Sequence, residues 1–195
     1  MPPVDEPGVA AGRRTALLII DMQNAFFENE VLGRSRSSLV AACNALIEAA
    51  SRGGSPVFVA RTEHLTDRST WTLSMLDDGQ GFIFRGTAQA EAIDGLRVEG
   101  LEMVTKARDS AFFGTDLAQR LRGLGVENLV LAGVSTHNCV AHTGADAFAA
   151  DFRVTYVSDA IGSTNERYAA AMLEILSVEY RQPIVDLAAA ADLLR

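Results

Sequence analysis

Cysteine is scarce in this chain: 195 residues hold two, Cys43 and Cys139, too few for a disulfide framework. No apolar run approaches the ~20 residues that a membrane helix needs, so no membrane partner is expected and the expected location is cytoplasmic. The opening Met1 to Gly12 has neither a charged n-region nor an apolar h-region. Its prolines and glycines mark a flexible N-terminus over residues 1–12, ahead of one domain over residues 13–195. Lysine and arginine number 17 against 25 acidic residues, for a net charge of −8. With those cations dispersed, nucleic acid is excluded as a partner and a small-molecule substrate remains. Internal repeats, low-complexity tracts and linkers are also missing.

What is present is a globular composition, 48% hydrophobic and 22% charged, with short apolar runs separated by turns. Runs of strand length occur at Ala16 to Ile20, Pro56 to Ala60, Leu101 to Thr105, Asn128 to Ala132, Val154 to Val157 and Pro183 to Val185. Most are continuous rather than alternating, as strands buried on both faces require. Helical patterns cover Ser37 to Arg52, Asp116 to Leu124, Cys139 to Ala150 and Asn165 to Tyr180, with Ser or Thr before several and Gly after others. Alternating strands and helices predict a mainly parallel sheet in a three-layer α/β/α domain. Cys43 falls within the first helical pattern as a small hydrophobe and is assigned no chemistry.

The stretch from Arg61 to Gly100 is irregular, broken by Asp77-Asp78-Gly79, Gly81 and Gly86. A loop this long is expected to form a lid or an oligomer contact. Trp71 and Phe82 within it either line a pocket or pack beneath the loop.

In open parallel sheets ligands bind beyond the carboxyl ends of the strands, so polar residues placed there carry functional weight. Asp21 follows Leu17-Leu18-Ile19-Ile20, Lys106 follows Met103-Val104-Thr105, and Gly133 to Cys139 follows Leu129-Val130-Leu131-Ala132. Cys139 opens a helical pattern, where free N–H groups and positive potential lower a thiol pKa and can hold an oxyanion. Alone, Cys139 reads more readily as a buried structural thiol, and Asp21 or Lys106 as a structural ion-pair member. Together they supply a nucleophile, a base for its proton and a cation favouring thiolate.

Three segments carry a resemblance. Leu18-Ile19-Ile20-Asp21-Met22-Gln23-Asn24-Ala25-Phe26 resembles the opening motif of the isochorismatase-like cysteine hydrolases, whose aspartate is the general base. Lys106-Ala107-Arg108-Asp109-Ser110-Ala111-Phe112-Phe113-Gly114-Thr115-Asp116-Leu117 resembles their lysine motif, and Gly133-Val134-Ser135-Thr136-His137-Asn138-Cys139-Val140 their nucleophile motif. The likeness runs in order from Thr15 to Ala160. It implies a Rossmann-like sheet of six strands, a Cys139-Asp21-Lys106 triad, and a homodimer or homotetramer. It also implies a cis peptide at Val134-Ser135, beside an oxyanion site made by backbone N–H groups near Ser135 and at Cys139. Expected pocket residues are Phe26, His64, Trp71, Phe112 and His137.

By the same resemblance, the activity is hydrolysis of a small amide, carbamoyl or ureide compound through a thioester, with no cofactor. Two alternatives stay open: a vinyl ether hydrolase of the isochorismatase type, disfavoured by the presence of Cys139, and a non-catalytic thiol sensor or binding protein. Related nicotinamidases bind a metal through an Asp-x-His segment after the second strand. Here that region reads Arg61-Thr62-Glu63-His64, with three histidines in the whole chain, so no metal is expected. His137 and His142 flank Cys139 and raise a Cys-His mechanism, ranked below Asp21. His64 also reads as a surface or hydrogen-bonded structural group, and His137 and His142 as supporting or packing residues.

Overall fold

The computed structural model describes residues 14–195, so the N-terminal segment expected over residues 1–12 lies outside it. Six strands form one sheet: β1 (Arg14–Ile20), β2 (Val57–Thr62), β3 (Glu102–Lys106), β4 (Val126–Val134), β5 (Arg153–Gly162) and β6 (Ile184–Val185). Every pairing is parallel and the spatial order is β3-β2-β1-β4-β5-β6. Successive side chains of a strand point to opposite faces, and both faces of this sheet are apolar. Leu17, Ile19, Val130, Ala132 and Val157 enter one core layer. Ala16, Leu18, Ile20, Leu129, Leu131 and Tyr156 enter the other. Continuous apolar runs in the sequence are the direct result.

Helix α1 (Glu30–Gly53) covers the first layer with Leu39, Cys43, Leu46 and Ala50. It begins earlier than the apolar periodicity suggests, because Asn29 caps it by accepting the Val31 N–H at 2.9 Å. Gly54 ends it in the left-handed conformation. Helix α2 (Leu73–Asp78) is a short element inside the stretch expected to be irregular, made by a Thr72 cap and stopped by Gly79 at φ +64°. Helices α3 (Leu117–Gly123), α4 (Ala141–Ala149) and α5 (Glu166–Glu179) pack on the second layer. Helix α6 (Leu187–Leu193), which sequence periodicity does not reveal, joins α1 through Ala190 and the flanking Leu194. Its Leu-Ala-Ala-Ala-Ala run has too little side-chain contrast to show a period.

The chain runs outward from β1 to β2 and β3, then returns to add β4 on the other side of β1. This places the topological switch point between β1 and β4, where an open parallel sheet forms its ligand crevice.

Candidate active site

Two main-chain features shape the switch point. Gly133, near the end of β4, has φ +115°, and a Cβ there would collide with the Ile20 carbonyl oxygen. Only glycine lets the β4 end approach β1 this closely. Directly after Ile20, Asp21 takes φ +53°, a left-handed conformation uncommon for a side-chain-bearing residue. Its N–H donates to the Ala60 carbonyl at 2.9 Å and its carbonyl accepts the Gln23 N–H at 2.8 Å, which closes the turn. Its side chain has no exposed surface.

Lys106 at the end of β3 reaches the same place. Its Nζ donates to Asp21 Oδ2 at 2.7 Å, to Thr62 Oγ1 at 2.7 Å and to the Arg108 carbonyl at 3.1 Å, engaging all three ammonium donors. The Thr62 hydroxyl in turn donates to Asp21 Oδ1 at 3.0 Å. Burial presses the Lys106 pKa down, but the charge of Asp21 leads the effects that outweigh it, and the net direction is upward. Lys106 is therefore a fixed ammonium.

Cys139 follows β4 in a π-helical turn, Thr136–Val140, that runs into α4. The sequence places it at the opening of a helix; it sits instead in the fourth position of this extra turn. The N–H groups of Asn138 and Val140 donate to the Ser135 carbonyl at 3.0 and 3.2 Å. The peptide bond between Val134 and Ser135 is cis. Cys139 is 7% exposed, and its thiol pKa stands well above 9, first through burial and then through the charge of Asp21, with Lys106 opposing. This corrects the expectation that a helix terminus and a nearby ammonium give a ready thiolate: in the unliganded site the sulfur is a thiol.

Of the expected pocket residues, His64 is buried, with Nδ1 3.0 Å from the Thr70 carbonyl and its ring 6.0 Å from that of Phe82. A carbonyl only accepts, so Nδ1 carries the proton of the neutral ring, and burial lowers the His64 pKa. His137 Nδ1 lies 2.6 Å from Ser163 Oγ, its ring edge-on to Tyr168, with its pKa also lowered by burial. Trp71 lies under the loop, its Nε1 donating to the Leu65 carbonyl at 2.9 Å. Phe112 packs on Phe152 and Phe26 on the α1 layer. His142 points back along α4, with Nδ1 2.8 Å from the Asn138 carbonyl.

Three polar residues of the site were not singled out by sequence. Thr62 bridges Asp21 and Lys106 and, as the last residue of β2, obeys the same strand-end rule that points to them. Gln23 braces Thr62, donating to its carbonyl and accepting its N–H, both at 2.8 Å, and also donates to the Ala90 carbonyl at 2.8 Å. Asp109 Oδ1 lies 3.8 Å from Cys139 Sγ.

In the segment after β2, the candidate metal donors are already engaged. Glu63 is ion-paired with Arg61 and Arg85, both at 3.0 Å, and His64 is held by Thr70. Among the described residues no group of three or more His, Cys, Asp or Glu side chains is gathered as a cation would need.

The parallel sheet thus brings an acid and a lysine together at its switch point, with a cysteine following β4 beside them, within a three-layer α/β domain. The isochorismatase domain model matches residues 15–189, and the chain belongs to the isochorismatase family of hydrolases. The probable inactive nicotinamidase of Arabidopsis thaliana is 35% identical over 183 residues, 88% of this chain and 92% of its own. An isochorismatase family protein from Desulfovibrio vulgaris superposes with TM-score 0.81 at 31% identity, covering 93% of this chain and 98% of that one. The N-carbamoylsarcosine amidase of Thermoplasma acidophilum does so with TM-score 0.76 at 26% identity, covering 89% and 96%. Among the described residues no helix is long and apolar enough to cross a membrane.

Proposed function

We propose that this protein is a cysteine-dependent hydrolase of a small amide, carbamoyl or ureide compound. The observation that carries the reading is the fully buried Asp21–Lys106 pair, whose charges both act on the Cys139 thiol. A buried ion pair is a poor source of stability, so its presence beside a thiol fits chemistry better than folding.

In this mechanism Asp21 accepts the Cys139 proton and the thiolate forms a bond to the substrate carbonyl carbon. The oxyanion is held by backbone N–H groups near Ser135 and at Cys139. As it collapses the C–N bond breaks, and the proton on Asp21 leaves with ammonia or an amine. Water then gives a proton to Asp21 and attacks the thioester, the acid departs, and the thiol is restored. Lys106 keeps its proton throughout and offsets the negative charge on sulfur.

The test is ammonia release by wild type and Cys139→Ala over a panel of small amides, carbamoyl compounds and ureides. Turnover abolished by the substitution is the expected result. An unaffected rate overturns the mechanism. No release from any compound, with retained reactivity toward peroxide, points instead to a thiol protein without catalysis, a reading favoured by the probable inactive relative in Arabidopsis.

A further inference from the structure

A second carboxylate faces the sulfur. Asp109, three residues beyond Lys106 in the chain, is exposed, and its Oδ1 lies 3.8 Å from Cys139 Sγ. It differs from Asp21 in having no cation: both oxygens of Asp21 are held, one by Lys106 and one by Thr62, whereas among the described residues Asp109 forms no ion pair. The neighbouring guanidinium of Arg108 is committed elsewhere, donating to the carbonyls of Thr70 at 2.8 Å, Ala107 at 2.5 Å and Trp71 at 3.3 Å.

An uncompensated negative charge at this distance opposes formation of a thiolate, and so works against the nucleophile in the empty site. The arrangement becomes useful once the substrate brings the missing positive partner.

We propose that Asp109 is a specificity residue, receiving an N–H-bearing and preferably protonated nitrogen that the substrate places beside its scissile carbonyl, and rejecting a carboxylate there. The inference rests on the reading of Cys139 as nucleophile and names the charge that its substrate carries. Binding then does two things at once: it orients the carbonyl over the sulfur and removes the field that opposes ionisation. A carboxylate at the same position would meet Asp109 as a like charge and leave the thiol protonated.

The test measures charge selectivity at the sulfur without any substrate. Modification of Cys139 by a cationic trimethylammonioethyl methanethiosulfonate is compared with that by the anionic sulfonatoethyl reagent. Each rate is followed by mass spectrometry and normalised to 2-mercaptoethanol, with buried Cys43 as the internal control. Wild type should favour the cationic reagent by about tenfold, the size of effect expected from one nearby charge. Asp109→Asn should bring the normalised ratio to about one, and Asp109→Glu should restore the preference, a recovery that a packing role would not produce. An identical ratio in wild type and Asp109→Asn overturns the proposal. Failure of the amidase reading is separate, since an unchanged ammonia rate in Cys139→Ala removes that mechanism whatever the reagent ratio.

Discussion

Lys106 Nζ and Asp21 Oδ2 lie 2.7 Å apart with both side chains wholly removed from solvent. Removing one member strands the other as a buried charge, at a cost of about 3–5 kcal/mol. Lys106→Met is therefore expected to lower stability by that amount in urea titration. Asp21→Asn combined with Lys106→Met should cost less than the two single effects added together, because no charge is then left unpaired.

Thr62 gives a finer test of the same network. Thr62→Val keeps the shape and deletes the hydroxyl that joins Lys106 to Asp21. A loss of about 1–3 kcal/mol is expected from the unsatisfied partners, read as a lower melting temperature, together with slower turnover. Thr62→Ser should recover most of both.

Asp21 also bears on the thiol in a direction opposite to the role proposed for it as the base. Its charge is, after burial, the largest cause of the raised Cys139 pKa. Asp21→Asn should lower that pKa and raise the fraction of thiolate at pH 7.5, so the rate of alkylation by iodoacetamide should increase while hydrolysis falls. A slower alkylation in this variant would contradict the assigned electrostatics.

Burial pushes the Cys43 thiol from about 9 up to about 12. A pKa raised in the folded state gives stability that is complete below the unfolded value and is lost as pH climbs toward the folded one. Between about pH 9 and 12 this thiol should lower the folding free energy by about 1.4 kcal/mol per pH unit. The urea midpoint of Cys43→Ala is thus expected to fall less steeply over that window than that of wild type.

Gly133 and Gly79 both have positive φ, but only at Gly133 would a Cβ meet main-chain atoms. Gly133→Ala should cost more than about 4 kcal/mol, since the β1–β4 contact must open. Gly79→Ala, at a position surrounded by open space, should cost about 1–2 kcal/mol from its backbone conformation alone. Thermal melts of the two variants distinguish collision from conformational preference.

Much of this architecture was legible because strands buried on both faces write themselves as continuous apolar runs, as Leu17 to Ile20 and Leu129 to Ala132 do. The strand-end rule led to Asp21, Lys106 and Cys139, which lie near one another at the switch point. Short elements escaped, since α2 and α6 are set by caps and tertiary contact rather than by period. Thr62 escaped because a threonine ending a β-branched, apolar strand looks like part of it. Asp109 was quoted within a motif, but its place beside the sulfur depends on the path of the loop after β3, which spacing does not encode. The resting state of the thiol was misread because local backbone suggests a lowered pKa, whereas burial and Asp21 dominate in three dimensions.

Gln23 addresses only main-chain atoms: the carbonyls of Thr62 and Ala90 and the N–H of Thr62. Its grip is therefore blind to which side chains the stretch between those two residues carries. Any replacement that returns a carbonyl to the same point is clasped equally well, so this clamp alone places no restriction on the side chains between Thr62 and Ala90.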